Sequence, residues 1–147
     1  LKAFDETGFT FFTNYESRKG KELLENPFAS LLFWWREFER QVRIEGKIEK
    51  INSKDSEEYF NLRPLKSRYG ALSSNQSEFI ESREVLEKRF LDLEKQFGDK
   101  PPTPENWGGY KLIPKKFEFW QGRRDRLHDR ICYEKVKDDW KIYRLQP

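Results

Sequence analysis

The hydrophobic positions in the first third of the chain predict mostly β-strands. Gly8–Thr13 is aromatic and β-branched, and Leu1–Phe4 is expected to pair with it as a hairpin. Phe28–Trp35 is apolar at successive positions, so it is predicted to be a central strand covered on both faces. Phe38–Ile51 alternates around Gly46 and is predicted to be a long strand that bends at this glycine.

Helical signals interrupt these strands at two places. Ser17 is expected to cap a short helix that runs to about Glu25, where Asn26-Pro27 stops it. After residue 52 the pattern becomes helical, with one helix beginning at Ser53 and a second that has Pro64 in its first turn. Ser82–Phe97 carries an apolar stripe at helical spacing and is predicted to be a third helix of this block.

The last third of the chain returns to strands after a proline-containing loop at residues 99–105. Trp107–Glu118, Leu127–Lys135 and Trp140–Leu145 are the predicted strands, joined by turns that contain Pro, Gly and Lys-Asp-Asp. Antiparallel strands interrupted by a helical block predict a mainly β fold with helices (α+β), a small barrel with helices packed on its side. A chain of 147 residues is the size of one domain, so residues 1–147 are expected to form a single one.

Composition narrows the function classes. The net charge of +3 arises from 29 basic and 26 acidic residues spread along the chain, which argues against a nucleic-acid binder and favours local anion sites. Cys132 is the only cysteine, which excludes an internal disulfide and fits a reducing, cytoplasmic compartment. With a single histidine as well, no metal cluster is expected. No apolar run reaches the roughly 20 residues that span a bilayer, so no membrane partner is expected.

The most informative polar pattern is Arg126, His128 and Arg130 at alternate positions. In an extended strand these three side chains would project from one face, while Leu127 and Asp129 take the other. Such a face predicts an anion or a polar ligand. The alternative interpretation is a solvated basic edge strand with an incidental histidine.

A second candidate anion site begins the first predicted helix. Ser17–Lys21 follows a strand, and the free amides and positive dipole end of a helix favour a bound phosphate. Arg18 and Lys19 oppose the helix dipole in the absence of an anion. The alternative is a solvated face in which Arg18 pairs with Glu22 at i,i+4.

A third candidate lies in the helical block. Tyr59, Arg63 and Ser67 are spaced by four residues, and Pro64 is expected to divide them between two helices. A guanidinium, two hydroxyls and the amides of a helix start form a plausible site for a dianion. The alternative is an ordinary corner between two helices. Neutral donors and acceptors are added by Gln41, Gln76 and Ser77.

Motifs of several enzyme classes are missing. The chain contains no Gly-x-Ser-x-Gly elbow, no Walker loop and no Gly-x-Gly-x-x-Gly turn. If the protein is an enzyme, a bound cofactor is therefore expected to carry the reaction.

Ordered motifs along the whole chain resemble the pyridoxamine 5'-phosphate oxidase (pyridoxine/pyridoxamine phosphate oxidase) family. The resemblance implies an FMN-binding split β-barrel that works as a homodimer, with the flavin held between subunits. The motifs that carry it are Phe11-Phe-Thr-Asn14, Glu16-Ser-Arg-Lys-Gly-Lys-Glu-Leu23, Asn26-Pro-Phe-Ala-Ser30, Arg40-Gln-Val-Arg43, Glu45-Gly46, Tyr59-Phe60, Arg63-Pro64, Trp107-Gly-Gly-Tyr110, Glu118-Phe-Trp-Gln-Gly122, Arg126-Leu-His-Asp-Arg130 and Arg144-Leu145.

The resemblance also implies roles for individual residues. Arg126 and His128 would be catalytic, orienting the pyridine ring with Leu127 beside them. Substrate phosphate would be held by Lys2, Tyr59, Arg63 and Ser67, and FMN would contact Phe12, Thr13, Arg18, Lys19, Gln41, Gln76, Ser77, Trp120 and Arg130. The implied reaction is oxidation of pyridoxamine or pyridoxine 5'-phosphate to pyridoxal 5'-phosphate, in which a hydride moves from the C4′ carbon to flavin N5 and O2 becomes H2O2.

The chain departs from the family at its start. It begins at Leu1, without the preceding barrel strand that bears an Arg-x-x-Leu contact to FMN and without the segment that helps cover the substrate, so an N-terminally truncated member is expected. Two alternatives stay open. One is a catalytically silent or truncated split barrel that binds FMN or pyridoxal 5'-phosphate, or that pairs with a complete subunit. The other, a barrel that binds single-stranded nucleic acid, is disfavoured by the dispersed charge.

Overall fold

The computed structural model describes residues 1–147, which contain seven strands, four α-helices and two short 3₁₀ turns. The strands and helices confirm the predicted α+β class. The turns are Arg36–Phe38 and Arg124–Arg126. The main elements are β1 (Ala3–Asp5), β2 (Gly8–Asn14), α1 (Arg18–Glu25), β3 (Phe28–Trp35), β4 (Arg40–Lys50), α2 (Ser53–Leu62), α3 (Leu65–Ser73), α4 (Arg83–Phe97), β5 (Trp107–Gln121), β6 (Asp129–Val136) and β7 (Asp139–Leu145).

All seven strands belong to one sheet. Its order is β1-β2-β5-β4-β3, and β6 pairs with both β5 and β7. The β3/β4, β5/β6 and β6/β7 pairs are antiparallel. The residues form two compact units, the first containing Leu1–Lys2, Thr10–Asn26 and Lys50–Lys111, and the second Ala3–Phe9, Pro27–Glu49 and Leu112–Pro147.

In the first unit, local capping signals set the helix boundaries. The Gly20 amide donates to Ser17 Oγ at 3.2 Å, so Ser17 caps α1 as predicted. Helix α2 is capped by Asn52, whose side chain accepts from the Asp55 amide at 2.8 Å, one residue before the predicted start. Pro64 occupies the N-cap position of α3, one residue before its first turn.

The core of the first unit is aromatic. Phe60 and Tyr69 are fully buried, and Trp107 and Tyr110 are nearly so. The Tyr69 hydroxyl donates to the Gly98 carbonyl at 2.6 Å, which ties α3 to the end of α4. These rings fix the helices on which the candidate site residues of this unit lie. None of the four helices is long and apolar enough to cross a membrane.

In the second unit, the predicted position of β3 is wrong. The strand is at the end of the sheet order rather than in its centre, and Leu32, Trp34 and Trp35 are exposed by 60%, 51% and 45%. Both faces are apolar, as the sequence indicates, but only one is partly covered within the chain: Leu31 and Phe33 are half-buried, whereas Leu32 and Trp34 on the other face are exposed. The buried residues of the second unit include Ile44, Leu112 and Cys132.

The predicted bend of β4 at Gly46 also needs revision. Pairing with β3 runs without a bulge from Arg40 to Lys47, so the glycine does not interrupt the register. A Cβ atom at Gly46 would lie 2.1 Å from the carbonyl oxygen of Ile113. The close approach of the two backbones therefore explains why position 46 is occupied by glycine.

Candidate functional site

The first unit contains a hollow of about 480 Å³ whose lining includes two cations and no carboxylate. We call it the cationic hollow. It is lined by Phe12, Thr13, Asn14, Lys19, Arg63, Ser67, Gly70, Ala71, Ser74, Gln76 and Trp107. The end of β2, the first turn of α1 and helix α3 thus bring together residues that the sequence analysis placed in separate candidate sites.

Arg63 is the most unusual side chain of the cationic hollow. Its guanidinium carbon lies 4.9 Å from the centre of the Trp107 ring, and its Nη1 is buried with no hydrogen-bond partner. Burial lowers the pKa of Arg63, although a guanidinium remains charged at neutral pH. A buried charged donor without a partner is energetically unfavourable, and an anion within its reach would satisfy it.

An aromatic stack supports Arg63. The ring centroid of Phe12 lies 4.0 Å from that of Tyr59 and 5.2 Å from that of Trp107, the Tyr59 and Trp107 centroids are 6.3 Å apart, and the three rings are nearly parallel. Tyr59 therefore contributes to this stack and is not among the residues that line the hollow, and the phosphate contact implied for it stays a prediction. The stack fixes the ring over which Arg63 lies.

Polar groups of β2 close another side of the cationic hollow. Thr13 Oγ1 and the Asn14 amide both donate to Gln76 Oε1, each at 3.2 Å. The carbonyl of Gln76 is therefore engaged, while its amide nitrogen remains a donor. Lys19 lies in the first turn of α1, with its ammonium 5.8 Å from the centre of the Phe11 ring.

Besides Tyr59, three further predicted ligand residues, Arg18, Ser77 and Lys2, do not line the cationic hollow. Arg18 is 84% exposed and its Nε donates to Glu22 at 2.8 Å, which raises the pKa of Arg18 and corresponds to the solvated alternative. Ser77 lines a separate small cavity of about 140 Å³ and has a left-handed backbone, with φ of 74°. Lys2 is exposed, and its amide donates to the Thr10 carbonyl at 2.9 Å.

The second unit contains a different hollow, of about 570 Å³, which we call the aromatic hollow. Gln41 and Trp120, both predicted FMN contacts, line it together. Gln121 organises its rim, because its Oε1 accepts from Arg40 at 2.7 Å and its Nε2 donates to the Phe38 carbonyl at 3.0 Å. The full lining is Trp35, Phe38, Arg40, Gln41, Val42, Phe119, Trp120, Gln121, Arg123, Asp129 and Ile131.

The predicted strand face of Arg126, His128 and Arg130 is wrong. Strand β6 begins only at Asp129, and Arg126 lies in the preceding 3₁₀ turn. Asp125 and Arg126 have φ of 56° and 62°, and two left-handed residues in succession reverse the chain, so the two-residue alternation does not apply. Arg126 and Leu127 are exposed as a result.

His128 is held by two contacts within the second unit. Its ring centre lies 4.8 Å from that of Trp120, at an interplanar angle of 42°. The amide of Arg123 donates to His128 Nδ1 at 3.1 Å. The structure therefore brings His128 to Trp120, although the two residues belong to separate motifs of the sequence.

Arg130 is fully engaged inside the protein. Its Nε and Nη2 donate to the two oxygens of Glu118 at 3.2 and 3.0 Å, and its Nη1 donates to the Gln146 carbonyl at 3.0 Å. Arg43 Nη2 donates to the same carboxylate at 3.2 Å. Glu118 is buried, and hydrogen bonding to Arg130 leads the causes that lower its pKa.

Sequence analysis did not single out Glu118. Its partner Arg43 is 75 residues away in the chain, so no local motif joins them. The available signal was strand alternation, which places Glu118 on the same face of β5 as Trp120.

The chain is similar to known proteins along almost all of its length. The family model described as pyridoxamine 5'-phosphate oxidase matches residues 1–97, and the model of the pyridoxine 5'-phosphate oxidase C-terminal dimerisation region matches residues 107–147. Pyridoxine/pyridoxamine 5'-phosphate oxidases of Paraburkholderia phytofirmans and Trichormus variabilis are 58% and 56% identical, and each match covers 100% of this chain and 70% of the relative.

Two solved structures are also similar. PhzG from Burkholderia lata, in complex with tetrahydrophenazine-1-carboxylic acid, aligns with a TM-score of 0.92 at 35% identity, over 99% of this chain and 72% of PhzG. A pyridoxamine 5'-phosphate oxidase-related, FMN-binding protein from Nostoc punctiforme aligns with a TM-score of 0.74 at 16% identity, over 99% of this chain and 77% of that one. The second likeness confirms the predicted split-barrel fold.

Together, the fold and the matched models define a flavoprotein of the oxidoreductase class with FMN as its cofactor. More particularly, the chain belongs to the pyridoxamine 5'-phosphate oxidase family. The match to a dimerisation region supports a homodimer. A phosphate-bearing cofactor or substrate fits the residues present, because the cationic hollow combines Lys19 with the unpartnered Nη1 of Arg63 and has no carboxylate in its lining.

Proposed function

We propose that the protein is an FMN-dependent oxidase that converts pyridoxamine or pyridoxine 5'-phosphate to pyridoxal 5'-phosphate and reduces O2 to H2O2. The observation that carries the proposal is the buried, unpartnered Nη1 of Arg63 in a hollow without carboxylates. The names of relatives that are 55–58% identical support the same substrates.

The cationic hollow is the proposed phosphate-binding site. Arg63 donates to phosphate oxygens through the nitrogen that lacks a partner, and the Ser67 hydroxyl adds a neutral donor. Lys19 supplies a second positive charge, and Thr13 with Gln76 shapes the wall beside it. A dianion therefore meets charges of opposite sign beside the buried Thr13 and Asn14.

The aromatic hollow and the adjoining turn are the proposed ring-binding part. Trp120 and Gln41 contact the flavin ring, and His128 and Arg126 orient the pyridine ring of the substrate. FMN, when bound, accepts the hydride from the C4′ carbon. The residues of the chain contribute orientation and charge. When the two reactants are held in position, much of the entropic contribution to the activation free energy is removed.

Several implied contacts have indirect roles in this proposal. Tyr59 holds Phe12 and Trp107 in the stack beneath Arg63, and Arg130 fixes the buried Glu118. Arg18, Ser77 and Lys2 remain proposed ligands that would have to reach FMN or the substrate from exposed positions. The exposed apolar residues of β3 give the proposed homodimer a surface to bury.

The test is an assay of the purified protein with saturating FMN and pyridoxamine 5'-phosphate, in which pyridoxal 5'-phosphate and peroxide are followed together. Equal amounts of both products are expected. Retention of FMN without turnover would favour the catalytically silent alternative. Turnover of a carboxylated tricyclic substrate, and none of the phosphorylated one, would place the activity closer to that of the phenazine-bound relative.

Arg126→Ala supplies a residue-level check of this assay. Since the Arg126 side chain is exposed in the turn, its removal is expected to lower turnover about tenfold or more with little change in melting temperature. Arg124→Ala is the matched control, because it removes an exposed arginine of the same turn that has no proposed ligand. Equal losses of activity in the two variants would contradict the role of Arg126.

A further inference from the structure

The turn between β5 and β6 has an unfavourable backbone that something must hold. Asp125 and Arg126 are consecutive non-glycine residues with left-handed φ angles of 56° and 62°. A hydrogen bond from the Leu127 amide to the Arg124 carbonyl, at 3.2 Å, closes the turn locally. This single bond does not fix the direction of the side chains that follow.

Asp129 provides a stronger constraint from the first position of β6. Its Oδ2 accepts from Arg123 Nε at 2.8 Å, and its Oδ1 accepts from Arg144 Nη1 on β7. The carboxylate of Asp129 thus connects Arg123, at the start of the turn, to Arg144 on β7. These ion pairs also lower the pKa of Asp129, and the bond from Arg123 is the largest cause.

Arg123 is at the same time the backbone partner of His128. Its amide donates to His128 Nδ1 at 3.1 Å, so Nδ1 carries no hydrogen. In a neutral imidazole the hydrogen is then on Nε2, which becomes a donor. The position of Arg123 therefore decides which ring nitrogen of His128 donates.

We propose that Asp129 is a positioning residue that acts through Arg123 to hold His128 in the Nε2–H tautomer. The inference rests on the proposed function, in which His128 contacts the substrate. His128 then donates a hydrogen bond from Nε2 to an acceptor on the substrate, such as the oxygen atom attached to the pyridine ring. Ligands that present only a donor at this position are rejected. The ion pair with Asp129 keeps the Arg123 amide against Nδ1, in the way that outer partners fix the tautomer of a functional histidine.

A spectroscopic test is available because His128 is the only histidine of the chain. Imidazole ¹⁵N resonances of the full chain, recorded with FMN at a pH where the ring is neutral, are therefore assigned without ambiguity. The wild type is expected to show the Nε2–H pattern. Asp129→Asn and Arg123→Met are expected to show a mixture of tautomers. Both should lower kcat for pyridoxamine 5'-phosphate, measured at saturating FMN, about three- to tenfold, the equivalent of one hydrogen bond.

Arg124→Ala is the control, since Arg124 precedes the same left-handed residues but lies outside the proposed ion pair. It should keep the wild-type resonances and kcat. If Asp129→Asn fails to fold, Arg123→Met removes the same ion pair from a side chain that is 59% exposed. The inference would be overturned if the wild-type protein showed the Nδ1–H pattern, or if Arg123→Met showed the same resonances as the wild type. The Nε2–H pattern in a protein without turnover would support the tautomer assignment and reject the proposed function.

Discussion

Replacement of Arg63 by methionine separates ligand binding from folding. In most proteins the loss of a half-buried arginine is destabilising, because its partners are left without it. Here Nη1 has no partner, so the substitution removes an unfavourable buried donor together with the contact to the Trp107 ring at 4.9 Å. The ligand-free variant is therefore expected to be about as stable as the wild type.

The two contributions can be compared. An unsatisfied buried donor is unfavourable by about 1–3 kcal/mol, and a cation–π contact is favourable by about 0.5–2 kcal/mol. They nearly offset, so the free energy of unfolding of ligand-free Arg63→Met should change by about 1 kcal/mol or less.

Ligand binding should behave differently. Pyridoxal 5'-phosphate at about 100 times its wild-type Kd stabilises a protein by about 2.7 kcal/mol, or roughly 5–10 °C in Tm for a domain of this size. Loss of a charge-assisted bond worth about 2 kcal/mol raises Kd roughly 30-fold, which leaves a stabilisation of about 0.9 kcal/mol.

Thermal unfolding of both proteins with and without the ligand measures these shifts, and pyridoxal without its phosphate is the control ligand. Equal ligand-induced shifts in the two proteins would refute the phosphate-binding role of Arg63. A loss of more than about 3 kcal/mol in the ligand-free variant would instead show that Arg63 is a structural residue.

Two further predictions concern other charged groups. Lys19→Ala should weaken FMN binding more than Arg18→Ala, measured by fluorescence titration, because Lys19 lines the cationic hollow whereas Arg18 is paired with Glu22 in solvent; the reverse order would contradict this assignment. Glu118→Gln should lower the free energy of unfolding at pH 7 by about 1.5–3 kcal/mol in denaturant titrations. Since the pKa of Glu118 is lowered in the folded protein, its contribution to stability is present above the unfolded value of 4.5 and is lost as pH falls through the folded pKa. The free energy of unfolding of the variant should therefore depend less on pH in the acid range. A pH dependence equal to that of the wild type would contradict the prediction.

Local signals predicted the elements of the fold well. The Ser17 cap, the Asn26 stop and the aromatic and β-branched strand signal of Gly8–Thr13 depend on neighbouring residues, and the structure confirms them. The error in the position of β3 has a physical origin. The apolar pattern of Phe28–Trp35 indicates that both faces favour burial, but it does not say whether the cover comes from the same chain.

The candidate site was less predictable than the elements. Alternation suggested a strand through Arg126, but Asp125 and Arg126 adopt left-handed backbone angles. The residue types Asp and Arg alone do not indicate such angles in a sequence. Glu118 and the stack of Phe12 on Trp107 depend on contacts between residues distant in sequence. The residue types of the site were visible in the sequence, whereas the pairings that orient them were not.

The most direct test of the proposed chemistry is the visible spectrum of the FMN-loaded protein mixed with pyridoxamine 5'-phosphate in the absence of oxygen. A protein that removes a hydride from the C4′ carbon should bleach the flavin band, and admission of O2 should restore it as pyridoxal 5'-phosphate appears. A flavin band that persists at saturating substrate would contradict the proposal that this chain is the oxidase.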